Sequence, residues 1–296
     1  MFLMFFTSCK TLKLTAEYLD NPPSVVPKVA LSTDLNRNNW QHLDPINDSV
    51  PGMSVDKAYT ELIKDSEGQT VVVAVLDTGI DIKHEDLKGN IWTNKKEIPG
   101  NNIDDDKNGF VDDVYGWNFL GEAYYEQLEL TRLLGKGEDF PEKEDAQKDY
   151  DKRLAEARGE ETLKYYLNYD FKGRTTGDDP DNFDQTYYGD NKVEHSREDE
   201  SHGTHVAGII AAARNNNLGM KGVANNVEIM TLRVVPYGDE YDKDIALGII
   251  YAADNGADII NTSFGKGFSP HSDKVRDAIA YAASKNVLIV NAAGND

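Results

Sequence analysis

Two residue types with catalytic potential stand where regular elements of this sequence begin or end. Asp77 closes the run Val71-Val72-Val73-Ala74-Val75-Leu76, and His202 opens the small, apolar stretch His202-Gly203-Thr204-His205-Val206-Ala207-Gly208-Ile209-Ile210-Ala211. An aspartate at a strand end can hold a ribose hydroxyl, take a phosphoryl group, bind a metal or cap a turn. An imidazole at a helix start can move protons. With His205 it can also ligate zinc, although the i,i+3 spacing is not that of an HExxH helix and no third ligand is evident. A zinc hydrolase built on His202 and His205 is therefore one reading of these residues.

The elements that must position these groups follow a simple rhythm. A continuous β-branched run at 71–76 reads as a strand buried on both faces, and similar short runs recur at 227–233, 257–261 and 287–291. Helical patterns over 242–255 and 273–286 separate the later runs. Strands alternating with helices imply an α/β fold, a doubly wound parallel sheet with helices on both faces. In such a sheet reactive groups gather beyond the carboxyl ends of the strands, where adjacent loops diverge. Asp77, Asn261-Thr262-Ser263-Phe264-Gly265 and Ala292-Ala293-Gly294-Asn295 all fall there.

Composition narrows the function. The chain has 296 residues, enough for a sizeable core, and a formal net charge of −21. Such a surface repels a nucleic-acid backbone, and no basic stripe offsets it. A single cysteine, Cys9, excludes an intrachain disulfide framework. Residues 1–39 read as an export signal and a Pro-containing linker, and residues 40–296 as the globular region. Within it, residues 121–200 are rich in Glu, Asp, Lys and Tyr and read as a charged inserted subdomain, with Glu144/Lys148 and Asp149/Arg153 paired at i,i+4 on an exposed helix.

Taken together, Asp77-Thr78-Gly79, Ser201-His202-Gly203-Thr204-His205-Val206-Ala207-Gly208, Asn261-Thr262-Ser263-Phe264-Gly265 and Ala292-Ala293-Gly294-Asn295 closely resemble the subtilisin-like serine peptidases, in that family's order. The resemblance covers about 40–84 and 201–296. It implies that Asp77 orients His202, that His202 is the general base, and that Asn295 donates to the oxyanion. It further implies that Ser263, Phe264 and Gly265 pair with extended protein or peptide substrate over a pocket floor of Ala292, Ala293 and Gly294. The family's nucleophile lies in a Gly-Thr-Ser segment after the asparagine. The expectation is therefore a serine endopeptidase domain incomplete at its C-terminus, inactive until the missing part of the same domain supplies the serine. The alternative is a noncatalytic, calcium-stabilised binding protein on the same scaffold. The opening Met1–Lys10 similarly resembles the end of a bacterial lipoprotein signal, which implies acylation of Cys9. Membrane contact would then run only through that anchor, and the chain would be exported to the periplasm, outer membrane or cell surface, or secreted.

Calcium is the expected cofactor, with no organic one. Asp104, Asp106 and Asn108 lie in a D-x-D-x-N-G run that begins like an EF-hand loop, and Asp112 or Asp113 must close it because Tyr115 occupies position twelve. The competing reading is an Asn108-Gly109 hairpin. Family resemblance implies a second site at Asp86 with the 215–219 loop. Finally, Asp77 and His202 are 125 residues apart in sequence, so the insertion must leave and rejoin the crevice without separating them.

Overall fold

The computed structural model describes residues 38–64, 68–194, 197 and 199–295. Cys9 and the signal-like segment lie outside the described residues. The chain divides into two units, at 1–67 and 68–296. In the first, a 3-10 turn (Trp40–His42) precedes a helical turn, α1 (Val55–Ala58). Asp44 organises the segment between them, its carboxylate accepting the Ile46 and Asn47 amides and the Ser54 hydroxyl.

In the second unit five strands, β1 (Val71–Asp77), β2 (Gly116–Asn118), β3 (Val227–Arg233), β4 (Ile259–Thr262) and β5 (Leu288–Asn291), form one parallel sheet in the order β2-β3-β1-β4-β5. The β-branched run at 71–76 takes the central position because both of its faces are covered. Val73 and Val75 pack into one layer with Ala207 and Ala211 of helix α4 (His202–Ala211). Ala74 and Leu76 pack into the other with α5 (Asp242–Asp254) and α6 (Ser272–Ser284). The sheet is therefore parallel with helices on both faces, as the rhythm of apolar runs implies. β5 is an edge strand with Leu288 and Val290 exposed.

The connection from β1 runs to β2 on one side of it, whereas that from β3 crosses to β4 on the other, so the crevice at the carboxyl ends opens beside Asp77. Much of the 121–200 segment is irregular, with α2 (Glu129–Gly135), α3 (Lys143–Glu156) and a π-helical turn (Thr162–Tyr166) among its described residues. On α3 Arg153 pairs with Asp149 at 2.9 Å as its spacing implies, whereas Lys148 pairs with Asp145 at 3.1 Å instead of Glu144. A buried polar network docks the insertion on the start of α5. Arg174 bridges Asp178 and Asp244, and Lys243, fully buried, donates to Asp178 at 2.7 Å and to the Asp179 carbonyl at 2.8 Å. Charge read from sequence as a solvated face is thus, in this part, internal glue.

Candidate active site

Asp77 ends β1 almost fully buried, and its Oδ1 accepts the Thr78 amide at 2.8 Å and contacts His202 Nδ1 at 2.7 Å. The second oxygen, Oδ2, is buried without a partner. The His202 side chain is 54% exposed, so one edge of the ring is fixed on the carboxylate while the rest faces solvent. A carboxylate bonded to Nδ1 selects the tautomer whose Nε2 is free to accept a proton.

Glycine at position 203 permits this approach. A Cβ there would lie 2.2 Å from the Gly79 carbonyl oxygen and 3.2 Å from the Asp77 side chain. The Gly203 amide instead donates to the Thr78 hydroxyl at 3.2 Å, and the Thr204 hydroxyl accepts the Asp81 amide at 2.9 Å. Gly203→Ala is expected to push the start of α4 off the strand end and cost about 1–3 kcal/mol, read as a lower thermal midpoint. An unchanged midpoint would show that the contact is not tight.

Asp77, Thr78 and His202 line a crevice of about 310 Å³ with Val235, Pro236, Tyr237, Gly238, Ser263 and Phe264. Ser263 and Phe264 also line an adjoining crevice of about 870 Å³, together with Gly265, Ala292, Ala293, Gly294 and Asn295. The structure therefore gathers all the residues singled out for catalysis and substrate contact along two neighbouring grooves. The hydroxyl of Ser263 accepts the Asn261 side-chain amide at 3.2 Å.

The sequence leaves open whether the insertion rims the cleft or decorates the far side. Leu128, Leu130, Asp149 and Arg153 of the insertion line the larger groove, so this segment rims the cleft. Its stretch 124–127 pairs with the segment after β3 through Tyr237 N to Tyr124 O and Glu126 N to Tyr237 O, both 2.7 Å. Behind this pairing Glu126 is buried, one oxygen accepting the Tyr241 hydroxyl at 2.9 Å and the other without a partner. Burial pushes its carboxyl up to about 7, against the lowering effects of Tyr241 and Arg174. An acid raised in the folded state loses stability as pH climbs from its unfolded value of about 4.5 through 7, here by about 3 kcal/mol once fully ionised. Glu126→Gln is expected to raise the thermal midpoint at pH 8 and leave it unchanged near pH 4. An equal effect at both would contradict the assignment.

The acidic loop is arranged differently from its sequence pattern. Asp104 and Asp106 bring carboxylate oxygens within 4.8 Å of one another and of Glu97, a residue the pattern did not include. Asp112 is committed to a turn, accepting the Gly100, Asn101 and Asn102 amides. Asp113 accepts the side chains of Asn94, Asn108 and Tyr251. The Asn108 side-chain oxygen accepts the Phe110 amide, and no strand follows Asn108-Gly109 before Gly116, so this is a loop and not a hairpin. Burial raises Glu97, as do the Asp113 and Asp106 charges, a balance that a bound cation would reverse. Asp86 lies buried against the 216–220 loop, accepting the Asn216 side chain at 2.7 Å and the Met220 amide at 3.3 Å. Neither His202 nor His205 belongs to a group of potential metal ligands among the described residues.

With this geometry in view, residues 68–296 match the subtilase family, peptidase S8. The chain belongs to the subtilase family. The thermophilic serine proteinase of Bacillus sp. (strain AK1) is 45% identical over 97 residues, covering 32% of this chain and 24% of that protein. Subtilisin-like protease 1 of Plasmodium berghei (strain Anka) is 27% identical over 242 residues, 79% of this chain and 28% of that protein. This subtilase chain thus spans under a third of the length of either relative. Among solved structures it aligns with the S41 psychrophilic protease at a TM-score of 0.44 and 23% identity, over 82% of this chain and 52% of that one.

Proposed function

We propose that this subtilase chain is part of a serine endopeptidase and supplies every element of its active site except the nucleophile. The hydrogen bond between Asp77 and His202 in an open crevice carries the reading. Asp77 holds the imidazole with Nε2 outward and stabilises the imidazolium that forms when His202 takes the serine proton. The serine oxygen attacks the scissile carbonyl, and His202 then returns the proton to the leaving amine. Asn295 donates to the carbonyl oxygen as it becomes negative, while Ser263–Gly265 pairs with the extended peptide over Ala292–Gly294. The attacking serine is the one that the family resemblance implies, in a Gly-Thr-Ser segment.

The substrate class is protein or peptide, and the setting is the cell exterior or surface, in keeping with Cys9 as a lipid attachment point. In the full-length protein Asn295→Ala is expected to lower kcat by about 10²–10³ with little change in KM, the range known from subtilisin itself. A wild-type kcat would remove Asn295 from the reaction.

Calcium binding belongs to the same proposal. Glu97, Asp104 and Asp106 offer hard oxygen donors from one loop, and a divalent ion there would offset three neighbouring carboxylates. Asp86 with the 216–220 loop is the second candidate. Chelation is expected to lower the thermal midpoint and added calcium to restore it, with the response weakened in Glu97→Gln. A chelator-insensitive midpoint would speak against a structural ion at either place.

A further inference from the structure

The insertion leaves the sheet just after β2 and returns immediately before α4, and one buried side chain touches both of its ends. Arg233 stands opposite Asp77 in the β1–β3 register. Its Nε donates to the Thr78 carbonyl at 3.0 Å. Nη1 donates to the Gly121 carbonyl at 3.0 Å and to Asn118 Oδ1 at 3.3 Å, and Nη2 to the Ala123 carbonyl at 2.8 Å and Glu200 Oε1 at 2.9 Å. The Arg233 and Glu200 side chains are both fully buried. A planar fork of donors at fixed angles is the group suited to holding several backbone segments in one geometry. Here those segments are the residue after Asp77, the first residues of the insertion, and the residue two before His202.

We propose that Arg233 and Glu200 form a positioning pair that sets the start of α4 so that the His202 ring rests on Asp77. The inference builds on the peptidase reading above. The Tyr124 and Tyr237 hydroxyls also hold the returning chain, donating to Asp199 at 3.0 Å each, but those bonds stop short of α4. The residue preceding α4, Ser201, makes no side-chain cap bond to the helix, and His202 is too exposed for packing over its ring to fix it. Its orientation follows from where the backbone of residues 200–203 is held, on one side by Glu200 and on the other by the Gly203 amide on Thr78. A displacement of about 1 Å in a catalytic group is enough to cost about 10²-fold in rate.

The test pairs Arg233→Met with Glu200→Leu in the full-length protein. Removing both charges together avoids leaving either member of the pair buried without the other, so the fold is expected to persist. The expected result is a kcat lowered at least about tenfold with KM within about twofold. A second expected result is loss of the deshielded Nδ1 proton of His202 from the proton NMR spectrum, the signature of its charge-assisted bond to Asp77. A folded double variant that keeps both the resonance and the parent kcat would overturn the positioning role and leave a purely structural ion pair. Arg233→Lys, which keeps the charge and loses the fork, provides a milder variant should the double one not fold. It is expected to lower kcat about threefold to tenfold at constant KM, and parent values of kcat and resonance would refute the proposal. If the unaltered protein shows the resonance but cleaves no peptide, the peptidase reading fails while the resonance still decides the positioning claim.

Discussion

Asp77→Asn in the full-length protein is expected to lower kcat by about 10⁴ while leaving KM and the thermal midpoint close to the parent's. The reasoning starts from one oxygen. Asp77 Oδ1 accepts the Thr78 amide and meets His202 Nδ1 at 2.7 Å. An asparagine fits the same buried space, so the fold and the substrate grooves persist. Its amide carries no charge to stabilise the imidazolium, and an amide NH₂ turned toward Nδ1 would favour the tautomer with its proton on Nε2, the wrong one for a base. Steady-state hydrolysis of a chromogenic peptide, with circular dichroism as the fold control, checks this. A loss below tenfold would mean that Asp77 does not serve His202.

His202→Ala is expected to have the larger effect, a fall in kcat of about 10⁶, the size known from subtilisin itself for loss of its histidine. The ring is 54% exposed, so removing it leaves little cavity and should cost little stability. Residues that act together on one nucleophile show non-additive losses, so on the proposed reading adding Asp77→Asn to His202→Ala should cost almost nothing more. Multiplying losses in the double variant would show that the two residues act independently, contrary to the geometry.

The sequence shows some parts of this molecule clearly and hides others, for physical reasons. β1 is legible because a strand buried on both faces must be apolar without interruption, as Val71–Leu76 is. β3 is less plainly legible, because Glu228, Thr231 and Arg233 interrupt the apolar run of Val227, Ile229, Met230 and Leu232. β2 is not, since three residues, Gly116–Asn118, carry no periodicity and are defined only by pairing with β3. The proximity of Asp77 and His202 was reached through resemblance, because no local pattern reports a contact across 125 residues.

The insertion shows the opposite failure. Its charge reads as solvated surface, yet Arg174 and Asp178 are buried in pairs with each other and with Asp244 and Lys243 of α5, and composition cannot distinguish a paired interior charge from a solvated one. Arg233 is hidden in the same way, as a single basic residue at the end of an apolar strand. Glu97 escaped notice because it lies seven residues before Asp104, outside the alternating acidic run, and joins it only when the loop folds back.

The most direct test is covalent labelling of the full-length protein with a fluorophosphonate, which marks only a serine activated by a neighbouring base, followed by mass mapping of the adduct. The expected result is one modified serine, in a Gly-Thr-Ser segment, with the adduct lost in His202→Ala. Absence of any adduct from folded protein, or labelling that persists without His202, would contradict the claim that Asp77 and His202 exist to activate a serine.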